Sequence, residues 1–155
     1  YKMEEQFAKL HLQNQLCFPL YAASRLTTQI YGPFLKELDL TYPQYLVMLV
    51  LWEHQVQTVN QIGNRLLLES NTLTPLLKRL EQKKLISRMR SETDERSVII
   101  RLTDRGHLLQ TRAVEIPDKI INSFKDHSIT EQEIVLFMHT IKKVISLLSN
   151  QLQMN

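Results

Sequence analysis

Residues 68–106 read LESNTLTPLLKRLEQKKLISRMRSETDERSVIIRLTDRG, and the period of their apolar residues changes partway along. In the first part Leu73, Leu76, Leu77 and Leu80 fall at i, i+3, i+4 and i+7, one apolar face of a helix that starts near Ser70 or Asn71 and runs to about Lys84. In the second part LISRMRS and SVIIRLT are β-branched and apolar, with the polar ETDER between them. That predicts a two-stranded hairpin with a charged tip. A helix followed by such a hairpin is the second half of a winged helix-turn-helix.

The flanking sequence supplies the other elements. TVNQ (Thr58, Gln61) and TYPQ (Thr41, Gln44, with Pro43 in the first turn) are capping boxes that open two earlier helices. The run YLVMLVLW in the first of these must be buried nearly all round. A further helix is expected from about Leu16 to Tyr31, stopped at YGPF by Gly32 and Pro33. Downstream, helix resumes after Thr103 and should break or kink at Pro117. A last helix opens with TEQE (Thr130, Glu133) and carries Ile134, Phe137, Met138, Ile141, Val144, Ile145, Leu148 and Leu152 on one stripe. The fold class is therefore mainly α with a small β-hairpin wing: a winged helix-turn-helix.

Composition narrows the function. A hydrophobic share of 43% in 155 residues supports a core and argues against disorder. No apolar run approaches the roughly 20 residues that span a bilayer, and no basic n-region or cleavage site marks secretion. One cysteine, Cys17, cannot build an internal disulfide framework, so a reducing, cytoplasmic setting is expected. His11, His54, His107, His127 and His139 are scattered without ligand spacing, so neither a metal nor a cofactor is expected. The net charge is +3, yet residues 65–105 alone carry +4. A basic middle in such a chain points to an acidic partner, double-stranded DNA first.

The helix beginning near Ser70 presents Asn71, Thr72, Thr74, Pro75, Lys78 and Arg79 opposite its leucines. Short polar groups near the N-terminus suit base edges, and the cations beyond them suit phosphates. The hairpin adds Arg88, Arg90, Arg96 and Arg101. Asp94, two residues before Arg96, is expected to hold that guanidinium in a fixed orientation for a narrow minor groove.

The segment from Leu68 to Gly106 resembles the winged-helix core of the MarR family of bacterial regulators, whose pattern is a recognition helix, LE..GLI.R and a wing with D.R. Lys84 stands where that family usually has Gly. NQLCFPLYAASR and LTYPQYLVMLVLWE narrow the resemblance to the organic hydroperoxide resistance regulators. It covers about residues 12–117. The resemblance implies one subunit of a homodimer over residues 1–155. In it, residues 12–31 and 107–155 dimerise and residues 41–105 bind DNA.

Cys17 has its own geometry. Pro19 is comfortable only in a helix's first turn, which puts the thiol near a helix N-terminus, where the macrodipole favours the thiolate. A kink at Pro19 in a longer helix is the competing arrangement. Tyr21, one turn on, can share the face of Cys17 and donate to it. Tyr31 returns to the same face but lies roughly 21 Å along the helix, out of reach of its own Cys17. In a two-fold dimer with antiparallel helices it would meet the partner's thiol. The resemblance implies that role for Tyr31 and Tyr42. It also implies a repressor, not an enzyme, in which an organic hydroperoxide oxidises Cys17 and the operator is released. With no second cysteine, a small cellular thiol or overoxidation must complete the reaction. A regulator answering a small aromatic ligand, or a broader redox or virulence regulator, is the alternative. A thiol peroxidase is disfavoured, since no cation is nearer Cys17 than Arg25.

Overall fold

A computed structural model of the chain describes residues Phe7–Gln153 apart from Thr93, Glu95 and residues 125–127. Two short 3-10 turns lead into α1 (Cys17–Glu37) and α2 (Tyr42–His54). There follow β1 (Val56–Thr58), α3 (Val59–Leu66), α4 (Ser70–Gln82), β2 (Ile86–Arg90) and β3 (Val98–Leu102). The chain ends with α5 (Asp104–Ala113), α6 (Ile116–Ser123) and α7 (Glu131–Gln153). Two compact units divide it, Tyr1–Ile116 and Pro117–Asn155. Among the described residues no helix is long and apolar enough to cross a membrane.

In the first unit both capping boxes form. The Thr41 and Thr58 hydroxyls accept the Gln44 and Gln61 amides at 3.5 and 3.2 Å, and each glutamine carbonyl accepts the threonine N–H in return. The apolar run of α2 is buried except at Leu49 and, in part, Leu46. Its Val47, Met48 and Leu51 lie beside Ile62 of α3, the α4 leucines Leu73, Leu77 and Leu80, and Ile100 of β3 as the fully buried core. α3 packs on α4 across a turn whose backbone comes close: a Cβ on Gly63 would stand 2.8 Å from the Leu68 carbonyl oxygen. Leu67, left-handed at φ 54°, makes that turn.

Two expectations needed correction. First, Gly32 and Pro33 do not stop α1, which continues to Glu37. Pro33 gives up one helical hydrogen bond on an exposed side, while Leu35, Leu38 and Leu40 are pulled into the core. The chain turns away after it at Asp39, left-handed at φ 54°, with the Leu40 amide bonded to the Leu35 carbonyl at 2.9 Å. Second, the sheet has three strands in the order β1-β3-β2, not two. β1 pairs antiparallel with β3, Gln57 opposite Ile100, and is too short to show any alternation in sequence. α4 ends at Gln82, close to the expected end, and Lys84 takes the left-handed position after it, φ 59°. A glycine there avoids a Cβ clash that costs other residues about 1 kcal/mol. Lys84→Gly should therefore raise the stability of reduced protein by about 1 kcal/mol in urea denaturation.

The predicted break near Pro117 is present: α5 ends at Ala113, and Pro117 falls in the first turn of α6. In the second unit the Thr130–Glu133 capping box also forms, with the Glu133 carboxylate accepting the Thr130 amide at 2.8 Å. Ile134, Phe137, Met138, Ile145, Leu148 and Leu152 of α7 are exposed, and Ile141 and Val144 are half-buried.

Candidate nucleic-acid interface and thiol site

α4 differs from α2 and α3 at its start. Glu69 occupies the cap position without a side-chain bond. The first backbone N–H groups of α4 therefore lack the side-chain acceptor that the other two helices have, as suits an approaching phosphate. Ser70, Asn71, Thr72, Pro75, Lys78 and Arg79 are all exposed. Thr74 is half-buried and turns its hydroxyl back onto the Ser70 carbonyl at 2.6 Å. Pro75 withholds the amide that the Asn71 carbonyl would otherwise accept. The α4 candidates thus lie on or beside one solvent face.

The hairpin sorts its arginines. Arg90, Arg96 and Arg101 are exposed. Arg88 is half-buried and doubly bound to Glu81, its Nε and Nη2 donating to Oε2 at 2.8 and 2.7 Å. That pair ties β2 to α4, so Arg88 sets the angle between wing and helix. Sequence reasoning missed Glu81, although its place seven residues before Arg88 is a signal. Lys83 is likewise held, 3.2 Å from the Asp39 carboxylate.

Asp94 acts differently from expectation. Its Oδ1 accepts the Arg96 backbone amide at 3.1 Å and its Oδ2 the Ser97 hydroxyl at 2.7 Å. The carboxylate folds the turn and does not grip the guanidinium, because a short aspartate side chain meets the backbone two residues on more readily than a long arginine head. Thr93 and Glu95 of the expected tip lie outside the described residues, as does His127. The Ser97 hydroxyl, then the Arg96 amide, hold the Asp94 carboxyl below its usual range. A depressed carboxylate pKa contributes stability above its unfolded value, lost as pH falls through the folded one. The turn should therefore be insensitive to pH near neutrality and loosen only below about pH 4. Asp94→Ala should speed hydrogen exchange at the Arg96 amide at pH 7 and leave core exchange unchanged.

At the thiol, the structure decides between the two geometries. α1 begins at Cys17, Pro19 sits in its first turn, and the thiol is exposed. Cys17 and Tyr31 share one unbroken helix, which fixes their separation at roughly 21 Å. The Tyr21 hydroxyl accepts from Arg25 at 3.3 Å within the subunit. At the other end of this span the phenols gather. Tyr31 and Tyr42 rings are 4.9 Å apart, and Tyr45 stands 5.9 and 6.5 Å from them. Tyr45, which is buried, was not foreseen, though Tyr42 and Tyr45 are one turn apart on α2. Burial raises all three phenols above their ordinary value, and neighbouring phenols add to it at Tyr31 and Tyr45. They stay protonated near neutral pH and keep a hydroxyl proton to donate. Leu16, Phe18, Tyr21 and Leu26 of this region are exposed. Among the described residues no three His, Cys, Asp or Glu side chains converge as metal ligands would.

Comparison with known proteins adds three likenesses. The model of the family described as "Transcriptional regulator SarA/Rot" matches residues 29–111. The organic hydroperoxide resistance transcriptional regulator of Bacillus subtilis is 48% identical over 92% of this chain and 97% of its own length. Reduced AbfR bound to DNA, a structure of a Staphylococcus epidermidis protein, aligns with a TM-score of 0.73 at 39% identity, covering 95% of this chain and 99% of that one. Overoxidised AbfR, also bound to DNA, aligns with a TM-score of 0.71 at 41% identity over 96% and 99%.

Proposed function

The chain belongs to the MarR-like winged-helix regulators that include SarA/Rot and the organic hydroperoxide resistance regulators, and on that premise we propose that it is a transcriptional repressor whose Cys17 senses organic hydroperoxides. The observation that carries the reading is the placement of Cys17: an exposed thiol on the first residue of a helix whose Phe18, Tyr21, Leu26 and Ile30 are exposed in the subunit. Two copies packed antiparallel along α1 bring Tyr31 and Tyr42 of one to Cys17 of the other, with α7 completing the dimer. The DNA face is α4 with the β2–β3 wing. The reaction needs no metal or cofactor, and a reducing, cytoplasmic compartment suits its resting thiol.

The chemistry balances with two reagents. The Cys17 thiolate attacks the outer oxygen of the hydroperoxide; the S–O bond forms, the O–O bond breaks, and the alkoxide leaves and is protonated to the alcohol. The Cys17 sulfenic acid then meets a small thiol, a disulfide bond forms, and water leaves. AbfR in its overoxidised form has been captured on DNA, which favours the mixed disulfide over further oxidation as the releasing species here. A gel shift on the DNA upstream of the protein's own coding region tests this. Cumene hydroperoxide with cysteine should release the DNA; retention of the complex under that treatment overturns the reading.

Tyr31 and Tyr42 are assigned as the donors to the anion. Tyr31→Phe removes one such donor and should slow Cys17 oxidation about tenfold, the value of one hydrogen bond to a charged group. Stopped-flow measurement with a limiting thiol would read it. An unchanged rate removes Tyr31 from the site.

A further inference from the structure

α2 carries a second aromatic contact whose far end reaches Gly106 of α5, beside the segment that follows α4. Tyr45 and Trp52 are seven residues apart, two turns, and so share one face of α2. Both are buried. Tyr45 touches Tyr31 at one end and meets the Trp52 ring edge-on at 6.2 Å at the other. The indole Nε1 donates to the Gly106 carbonyl at 3.0 Å. Gly106 in turn lies against the Leu85 carbonyl so closely that a Cβ there would overlap it. Leu85 closes the end of α4: its amide bonds to the Leu80 carbonyl at 3.0 Å, and its carbonyl accepts the Thr103 amide at 3.1 Å.

We propose that Tyr45 and Trp52 are transmitting residues that carry a displacement of Tyr31 through Gly106 and Leu85 to the C-terminal end of the recognition helix. The proposal rests on the reading of Cys17 and Tyr31 as the sensor. Close packing is the reason the contact can transmit. Val47, Met48 and Leu51, on the same helix, are fully buried, so a shift of Tyr45 is not absorbed locally. The capping box at Thr41 holds the start of α2, and Gly106, lacking a Cβ, allows direct backbone contact between α5 and the segment that follows α4. A mixed disulfide on Cys17 needs room beside the partner's Tyr31; that ring moves, Tyr45 follows it, and the end of α4 shifts with the wing that Glu81–Arg88 fastens to it.

The unmodified protein provides a readout, because Trp52 is its only tryptophan. Cumene hydroperoxide with cysteine should change Trp52 emission at the rate at which operator is released, and Cys17→Ser should show neither change. Emission that stays constant while operator leaves overturns the proposal. Trp52→Phe keeps a ring and deletes the donor to Gly106. It should oxidise at the parent rate and bind operator normally when reduced, while the loss of affinity on oxidation shrinks about tenfold. Tyr45→Leu should do the same, and Tyr45→Phe should behave as the parent. If oxidised Trp52→Phe and Tyr45→Leu release operator as completely as the parent, the contact does not transmit. Failure of the sensor reading has a different signature: the Cys17→Ser protein would still release on peroxide.

Discussion

Cys17→Ser should bind operator as tightly as the reduced parent and remain bound when cumene hydroperoxide and cysteine are added. The side chain is exposed, so exchanging sulfur for oxygen removes no packing. The helix and wing assigned to DNA binding are untouched. A serine hydroxyl is not oxidised by hydroperoxide and forms no disulfide with cysteine. The parent under the same treatment should lose roughly 5–150-fold in operator affinity, the usual range of coupling between two sites. The variant should lose nothing. Peroxide without cysteine distinguishes the two fates of the sulfenic acid: the mixed disulfide cannot form, so the parent should release slowly or not at all. Release from Cys17→Ser as complete as from the parent would falsify the sensor assignment. The ligand-responsive alternative would then lead, and an aromatic compound should release both proteins equally.

What could be read from the sequence was whatever a local pattern specifies. Three capping boxes, the leucine face of α4, the hairpin and the break near Pro117 all follow from residues within one or two turns of each other. The helix stop at Gly32 and Pro33 was misread because both residues do weaken a helix, and only the burial of Leu35 and Leu38 outweighs them. The end of that helix is also tied to a residue far along the chain: the Arg112 guanidinium donates to the Glu37 carbonyl at 2.7 Å. β1 was missed for a related reason: three residues have no period, and Val56–Thr58 is a strand only because β3 lies beside it. At the site, the positions of Cys17 and Tyr31 on one helix were legible from spacing. Tyr45, Trp52 and the Glu81–Arg88 pair were not, since each is defined by a contact between elements. Asp94 was misassigned between two nearby partners, a choice that only side-chain geometry decides.

Phe137→Glu with Leu148→Glu should yield a folded monomer that has lost most of its operator affinity. Both side chains are exposed within the subunit, so the charges cost the isolated fold little. If a second copy covers this face of α7, association would bury four carboxylates without partners, which is strongly unfavourable. Sedimentation at micromolar concentration should show a monomer, with helical circular dichroism unchanged. A monomer presents one recognition helix to one half-site, and losing the linked second contact should weaken operator binding by roughly 10²–10⁴-fold. The residual binding should be dominated by phosphates and fall steeply with salt. A variant that remains dimeric with full affinity would place the interface elsewhere. The same protein also tests the thiol site by a route independent of Tyr31. In a monomer no partner phenol reaches Cys17, since the subunit's own Tyr31 is roughly 21 Å away along α1. Its oxidation should therefore slow at least as much as that of Tyr31→Phe, since the partner's Tyr42 is lost as well. A monomer that loses operator affinity yet oxidises at the parent rate would show that the dimer serves DNA binding alone.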